Sequence, residues 1–196
     1  MPFSINRIID FILEGLFIGF GMSLLIFFLI SKIKAFHLKS FYQEFRFYAI
    51  RIIKVTGIIY GVYFVYLWAT NFTRLIEFLK GEEMFYTLFF SIRSILMIII
   101  SQLVWKERIR NHRFKVATIA VALFILGLCS NYVIERYIIF TTQYIHADFM
   151  PVQSYDGFSL NEMLALTVTS FFIERLVLFS ATVFIVWAIN KSFRKA

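Results

Sequence analysis

Residues 15–31, GLFIGFGMSLLIFFLIS, form an unbroken run without a charged side chain, and Lys32 and Lys34 follow soon after it. A helix needs about 20 mostly apolar residues to cross a hydrocarbon core of roughly 30 Å. Four later segments have a similar length and apolar character. The sequence therefore predicts membrane spans at about residues 14–33, 53–70, 84–105, 116–140 and 163–190.

The composition agrees with a membrane setting. Hydrophobic residues make up 60% of the 196 positions and charged residues 16%, whereas an average soluble domain has about 45–50% apolar residues and about 25% charged residues. The mean hydropathy is +0.78. We expect an all-α integral membrane protein in which residues 1–196 form a single transmembrane domain, a bundle of about five helices.

The basic residues predict the orientation of this bundle, because cytoplasmic loops carry an excess of Lys and Arg. With five spans, fourteen of the 20 bases fall on one side, and eight acids fall on the other. The amino end is then outside and the carboxyl end is cytoplasmic. The fourteen bases are Lys32, Lys34, Lys39, Arg46, Arg51, Lys54, Lys106, Arg108, Arg110, Arg113, Lys115, Lys191, Arg194 and Lys195.

The inner segment 35–52 combines bases with apolar residues at helical spacing. This pattern is typical of a basic amphipathic helix that lies on an anionic inner leaflet. A helical extension packed against its neighbours fits the pattern equally well. The apolar positions are Leu38, Phe41, Phe45, Tyr48 and Ile52.

Charged residues lie deep inside two of the apolar spans: Arg93 in the third, and Glu174 and Arg175 in the fifth. A charge inside a membrane is costly unless it is paired or hydrated. Counted at about 1.5 Å per residue from the start of each span, Arg93 and Glu174 lie within one helical turn of the same depth. We expect them to form an ion pair, within a subunit or across a subunit interface. Such a pair can fix helix register, or it can gate an ion path.

Glu135 and Arg136 lie late in the fourth span. Their position predicts an interfacial pair near the outer surface, with the long Arg136 side chain reaching the head groups.

Two glycine pairs have the spacing at which membrane helices approach closely. Gly15 and Gly19 lie in the first span, and Gly57 and Gly61 lie in the second. They predict helix packing within the chain or in a homo-oligomer.

The sequence contains none of the common catalytic motifs, so we expect no enzyme, no catalytic residue, no cofactor and no metal site. The basic inner residues instead predict a surface for anionic lipid or for a cytosolic protein partner, and we expect no direct binding of nucleic acid. This surface comprises Lys39, Arg46, Arg51, Lys106, Arg108, Arg110, Arg113 and Lys115.

These patterns leave three hypotheses. The preferred one is a small sensor, anchor or scaffold subunit that recruits a cytosolic partner and assembles as a homo-oligomer. The alternatives are an oligomeric ion channel gated by the intramembrane charges, and a small transporter or membrane enzyme. The 26 Phe and 10 Tyr fit an AT-rich coding sequence of the kind found in defence-associated bacterial loci. This favours a bacterial inner membrane and an antiviral setting.

Overall fold

Helices are the only regular elements in the computed structural model, which describes residues 5–31, 39–81, 84–129 and 160–193. For these residues the all-α prediction is confirmed. The helices are α1 (Ile5–Ile30), α2 (Lys39–Thr70), α3 (Phe72–Lys80), α4 (Met84–Gln102), a 3₁₀ turn (Leu103–Trp105), α5 (Glu107–Arg110), α6 (Arg113–Leu128) and α7 (Leu160–Phe193).

Four helices in the described part of the chain are long and apolar enough to cross a membrane. This is the property expected of a multi-pass integral membrane protein. The four candidate spans are Phe11–Ile30, Ser40–Thr70, Met84–Trp105 and Val168–Phe193.

The predicted fourth span, 116–140, is described only in part. Helix α6 begins at Arg113 and ends at Leu128, where the amide of Cys129 bonds to the carbonyl of Ile125. Glu135 and Arg136, the predicted interfacial pair, lie outside the described residues.

Helix α1 contacts α2, α6 and α7. Its buried face carries Phe17, which meets the ring of Tyr60 edge-on, and Phe20, which meets Phe179 in the same way. Aromatic pairs of this geometry add about 0.5–1.5 kcal/mol to the hydrophobic gain of burial. The core therefore sits around α1.

The first glycine pair lies where α1 crosses α7. A Cβ atom on Gly15 would lie 2.6 Å from Nη1 of Arg175, and one on Gly19 would clash with the Arg175 carbonyl oxygen. The close approach requires glycine at position 19, where the neighbour is backbone, whereas at position 15 the nearest atom is the end of the Arg175 side chain. The pair thus serves packing within the chain, one of its two predicted uses.

The second glycine pair is less uniform. Gly57 lies tightly against Ser101 and Gln102 of α4, whereas the nearest atom to a Cβ on Gly61 would be 3.6 Å away on Ile98. Of these two glycines, only Gly57 lies at a close approach between helices.

Helix α2 begins well before the predicted start of the second span at residue 53. Its 32 residues form one continuous helix, about 48 Å long, which exceeds the roughly 30 Å of a hydrocarbon core. Tyr42, Phe45 and Tyr48 are buried against neighbouring helices. Of the two alternatives for residues 35–52, the structure has the packed extension from residue 39 onward, not a separate surface helix.

Candidate functional site

The side chain of Arg93 is buried inside the bundle, with 4% of its surface exposed. Its Nη1 donates a hydrogen bond to Oε1 of Glu14 over 2.8 Å, and its Nε donates to the carbonyl oxygen of Leu126 over 2.7 Å. Arg93 therefore joins α4 to α1 and α6.

The carbonyl of Leu126 is available because α6 ends two residues later. The last four carbonyls of a helix have no partner within it, and the partial negative charge of a helix carboxyl end attracts a cation. Arg93 supplies both a donor and a positive charge at this point. Its Nη2 is buried without a hydrogen-bond partner among the described residues.

Arg175 of α7 also packs against α1. Only 2% of its surface is exposed. Its Nη1 donates to the carbonyl oxygen of Phe11 over 3.0 Å, and its Cζ lies 3.5 Å from the centroid of the Phe11 ring. A guanidinium over an aromatic face gains cation–π attraction, which is largest where water is excluded.

The prediction that Arg93 pairs with Glu174 within the chain is wrong. Arg93 pairs with Glu14, whereas Glu174 is exposed on the surface of α7. Neighbouring residues on a helix point about 100° apart, so when Arg175 faces α1, Glu174 faces outward. A pair between Arg93 and Glu174 across a subunit interface stays a prediction.

Glu14 is one of the eight acids that the five-span prediction assigns to the outer side, and it lies near the amino end of the first candidate span. Helix α1 begins at Ile5 and its apolar span at Phe11. Glu14 therefore lies about 5 Å inside this span, and its side chain is only 14% exposed. Its polar position within the bundle is explained by Arg93.

A second group of charges lies where α2 approaches α5. Residues 43, 46, 47, 50, 51 and 54 share one face of α2 by helical spacing. Together with Arg110 and Asn111 they line a cavity of about 440 Å³. The lining residues are Gln43, Arg46, Phe47, Ile50, Arg51, Lys54, Arg110 and Asn111.

Three members of the predicted basic surface, Arg46, Arg51 and Arg110, thus meet at one cavity, and Lys54 joins them. Lys54 is 8% exposed, and its Nζ lies 4.2 Å from the ring centroid of Trp105. The remaining members do not line this cavity. Lys106, Arg108 and Lys115 are exposed and Arg113 is half-buried, while Lys39 is described only as the first residue of α2.

Contacts at the same end bring in α7. The indole of Trp187 donates a hydrogen bond to Glu44 over 2.7 Å, and the amide of Asn190 donates to the hydroxyl of Tyr48 over 2.7 Å. The end of α7 therefore lies beside the first half of α2.

The described residues contain no group of His, Cys, Asp and Glu side chains that could hold a metal ion. The chain matches no protein-family model, no curated protein and no solved structure.

Proposed function

We propose that the protein is a membrane-embedded scaffold, anchor or sensor subunit that recruits an acidic cytosolic partner through its basic inner face. The observation that carries this proposal is the gathering of cations where α2, α5 and the start of α6 meet. Lys106, Arg108 and Lys115 are exposed there. A surface of one charge sign raises the association rate of an oppositely charged partner.

The positive-inside rule supports placing this end in the cytoplasm, with the amino end of the chain outside. We propose an inner bacterial membrane as the location and a homo-oligomer as the assembly. The exposed carboxylate of Glu174, within a candidate span, supports assembly because charged groups in membranes usually face protein or water.

Charge reversal tests the recruitment proposal. A variant with Lys106→Glu, Arg108→Glu and Lys115→Glu should lose the cytosolic partner that copurifies with the wild-type protein. A matched variant with Arg74→Glu and Lys80→Glu, at two exposed positions of α3, should keep it. Because the contact is electrostatic, salt should release the partner from the wild type. Retention by the first variant would contradict recruitment through this face.

Ion or solute transport is the second candidate, and one observation favours it. Helix α6 ends at Leu128, and Gly127 packs against Ile18 in the interior of the first span, where Arg93 meets the α6 carbonyl. Helix ends inside a membrane often form the ion and substrate sites of transporters.

Purified protein in liposomes separates the two candidates. A current or solute uptake that Glu14→Gln abolishes would support transport, with Glu77→Gln on the exposed face of α3 as the matched control. Liposomes that stay tight with the folded wild-type protein would leave recruitment as the function.

A further inference from the structure

The cavity between α2 and α5 has an unusual charge content. Four of its eight lining residues are cations, and none of the lining residues is acidic. Like charges in one partly buried cavity repel each other, at an energy that rises as water is excluded. An anion in the cavity would remove this repulsion.

The four cations differ in the contacts that they already make within the protein. Arg110 pairs with Glu107 over 3.0 Å. Arg51 stacks on the ring of Phe47 at 4.2 Å, and Lys54 lies at the same distance from Trp105. These contacts hold the side chains in place while leaving donor groups for a ligand.

Among the four cations, Arg46 gives the strongest evidence for a bound ligand. Its Nη1 is buried and has no hydrogen-bond partner among the described residues. A buried donor without an acceptor is unfavourable, and an ionised acceptor forms the strongest replacement. Guanidinium and ammonium groups together are the common ligands of phosphate.

The position of the cavity identifies the source of the anion. Lys54 lies over Trp105, which is the last residue of the candidate span Met84–Trp105, and tryptophan is enriched where a membrane meets water. Apolar side chains of Phe47 and Ile50 line the same cavity. A ligand with a charged head and an apolar tail matches this combination.

We propose that the cavity binds the phosphate group of an anionic lipid, with Arg46 and Lys54 as its principal ligands and Arg51 and Arg110 as supporting cations. The assignment of the lipid to the inner leaflet rests on the proposed function, which places this end of the bundle in the cytoplasm. The binding chemistry itself does not depend on the cytosolic partner.

The test uses purified full-length protein in micelles that contain phosphatidylcholine, with phosphatidylglycerol added. A ligand that binds the folded state raises the unfolding temperature with its concentration. Phosphatidylglycerol should raise the midpoint of the wild type, and further phosphatidylcholine should not, because its choline group cancels the phosphate charge.

Arg46→Gln and Lys54→Gln should each weaken the apparent affinity for phosphatidylglycerol by roughly tenfold. Each variant is compared with its own midpoint in phosphatidylcholine, so a general loss of stability does not affect the result. Arg51→Gln, at an exposed position, provides a milder variant of the same site. Arg74→Gln, which removes an exposed base of α3 outside the cavity, is the matched control and should respond like the wild type.

The proposal would be overturned if phosphatidylglycerol did not shift the unfolding midpoint of the wild type, or if the shift were undiminished in both Arg46→Gln and Lys54→Gln. An equal shift with inorganic phosphate alone would also overturn it, because the ligand would then be a free anion and not a lipid. The recruitment proposal is tested separately, since its charge reversals leave the cavity residues intact. Loss of the partner with normal lipid binding, or the reverse, shows which of the two proposals has failed.

Discussion

At the scale of single residues, the charge of Arg93 is kept inside the bundle by two acceptors on different helices. Glu14 supplies an opposite charge, and the end of α6 supplies a carbonyl. Breaking a buried pair from one side leaves the other charge without compensation. The stability losses caused by substituting Arg93 and by substituting Glu14 should therefore be strongly non-additive.

We expect Arg93→Met to lower the free energy of unfolding by about 3–5 kcal/mol. The double variant with Glu14→Gln should lose less than Arg93→Met alone, because no unpaired carboxylate remains. Detergent-induced unfolding of the four proteins in the cycle measures both effects. Arg74→Met, at an exposed position of α3, should change stability by less than about 0.5 kcal/mol. Additive losses in the cycle would contradict direct coupling between Arg93 and Glu14.

The sequence could predict that Arg93 needs a partner, but it could not select the right one. Depth counted from the edge of an apolar run placed Glu174 near Arg93, and put Glu14 outside. The rotation of α7 about its axis decides which of Glu174 and Arg175 faces inward, and that rotation depends on packing against α1. Glu14 lies about 5 Å inside the candidate span that begins at Phe11, whereas Arg93 lies about 14 Å inside the span that begins at Met84, so depth counted from the span edges does not identify this pair either.

At the scale of helices, the spacing of glycines did not distinguish close contacts from loose ones. Gly19 and Gly61 occupy equivalent places in their motifs. Only Gly19 has a neighbouring backbone, that of Arg175, where a methyl group would have to fit. The difference arises from the distance between two helix axes, which no local pattern contains.

We expect Gly19→Ala to destabilise the protein by about 1–3 kcal/mol, the usual effect of overpacking. Gly61→Ala is the matched control, since its methyl group would make ordinary contact with Ile98. It should change stability little, and the better helix propensity of alanine can even raise it. Unfolding in detergent compares the two. Equal losses would show that the α1–α7 contact is not as close as described.

The apolar pattern also did not predict where α2 begins. Arg46 and Arg51 interrupt the run and moved the predicted start of the span to residue 53, directly before Lys54. In the structure these residues lie on one helix face toward the cavity, while buried side chains such as Phe45 and Ile53 occupy the other faces. The long apolar spans were predictable because length and hydropathy suffice for them.

At the scale of the whole molecule, the directions of the helices constrain the number of crossings. Gly15 and Gly19 of α1 meet Arg175 and Phe179 of α7 in the same order, so these helices run parallel. Helix α2 runs antiparallel to α1, because Phe17 meets Tyr60 while the later Phe27 meets the earlier Phe45. Helix α4 runs antiparallel to α2, because Gly57 lies against Ser101 while the later Tyr60 bonds to the earlier Ser94. Among the described helices, α1, α4 and α7 therefore run in one direction and α2 runs in the other. These directions agree with the predicted five spans, and the number of spans stays a prediction.

Homo-oligomer formation is testable at the carboxylate of Glu174. If this residue faces a second copy, Glu174→Leu should shift the protein towards smaller assemblies, because a polar contact between copies is lost. Mass photometry in detergent measures the distribution, and Val177→Leu, at another exposed position of α7, is the control. An unchanged distribution would remove Glu174 from the interface.

The orientation is testable by labelling single cysteines with a membrane-impermeant maleimide in a Cys129→Ser background. Thr73→Cys, in α3, should react in intact cells. Asn111→Cys and Ser192→Cys should react only after the membrane is opened, because the proposed function, which follows the positive-inside rule, places the basic end that they share in the cytoplasm. All three positions are exposed in the structure. Labelling of Asn111→Cys in intact cells would show that the orientation is opposite to the proposed one. If only one of Asn111→Cys and Ser192→Cys reacts in intact cells, an odd number of spans is excluded.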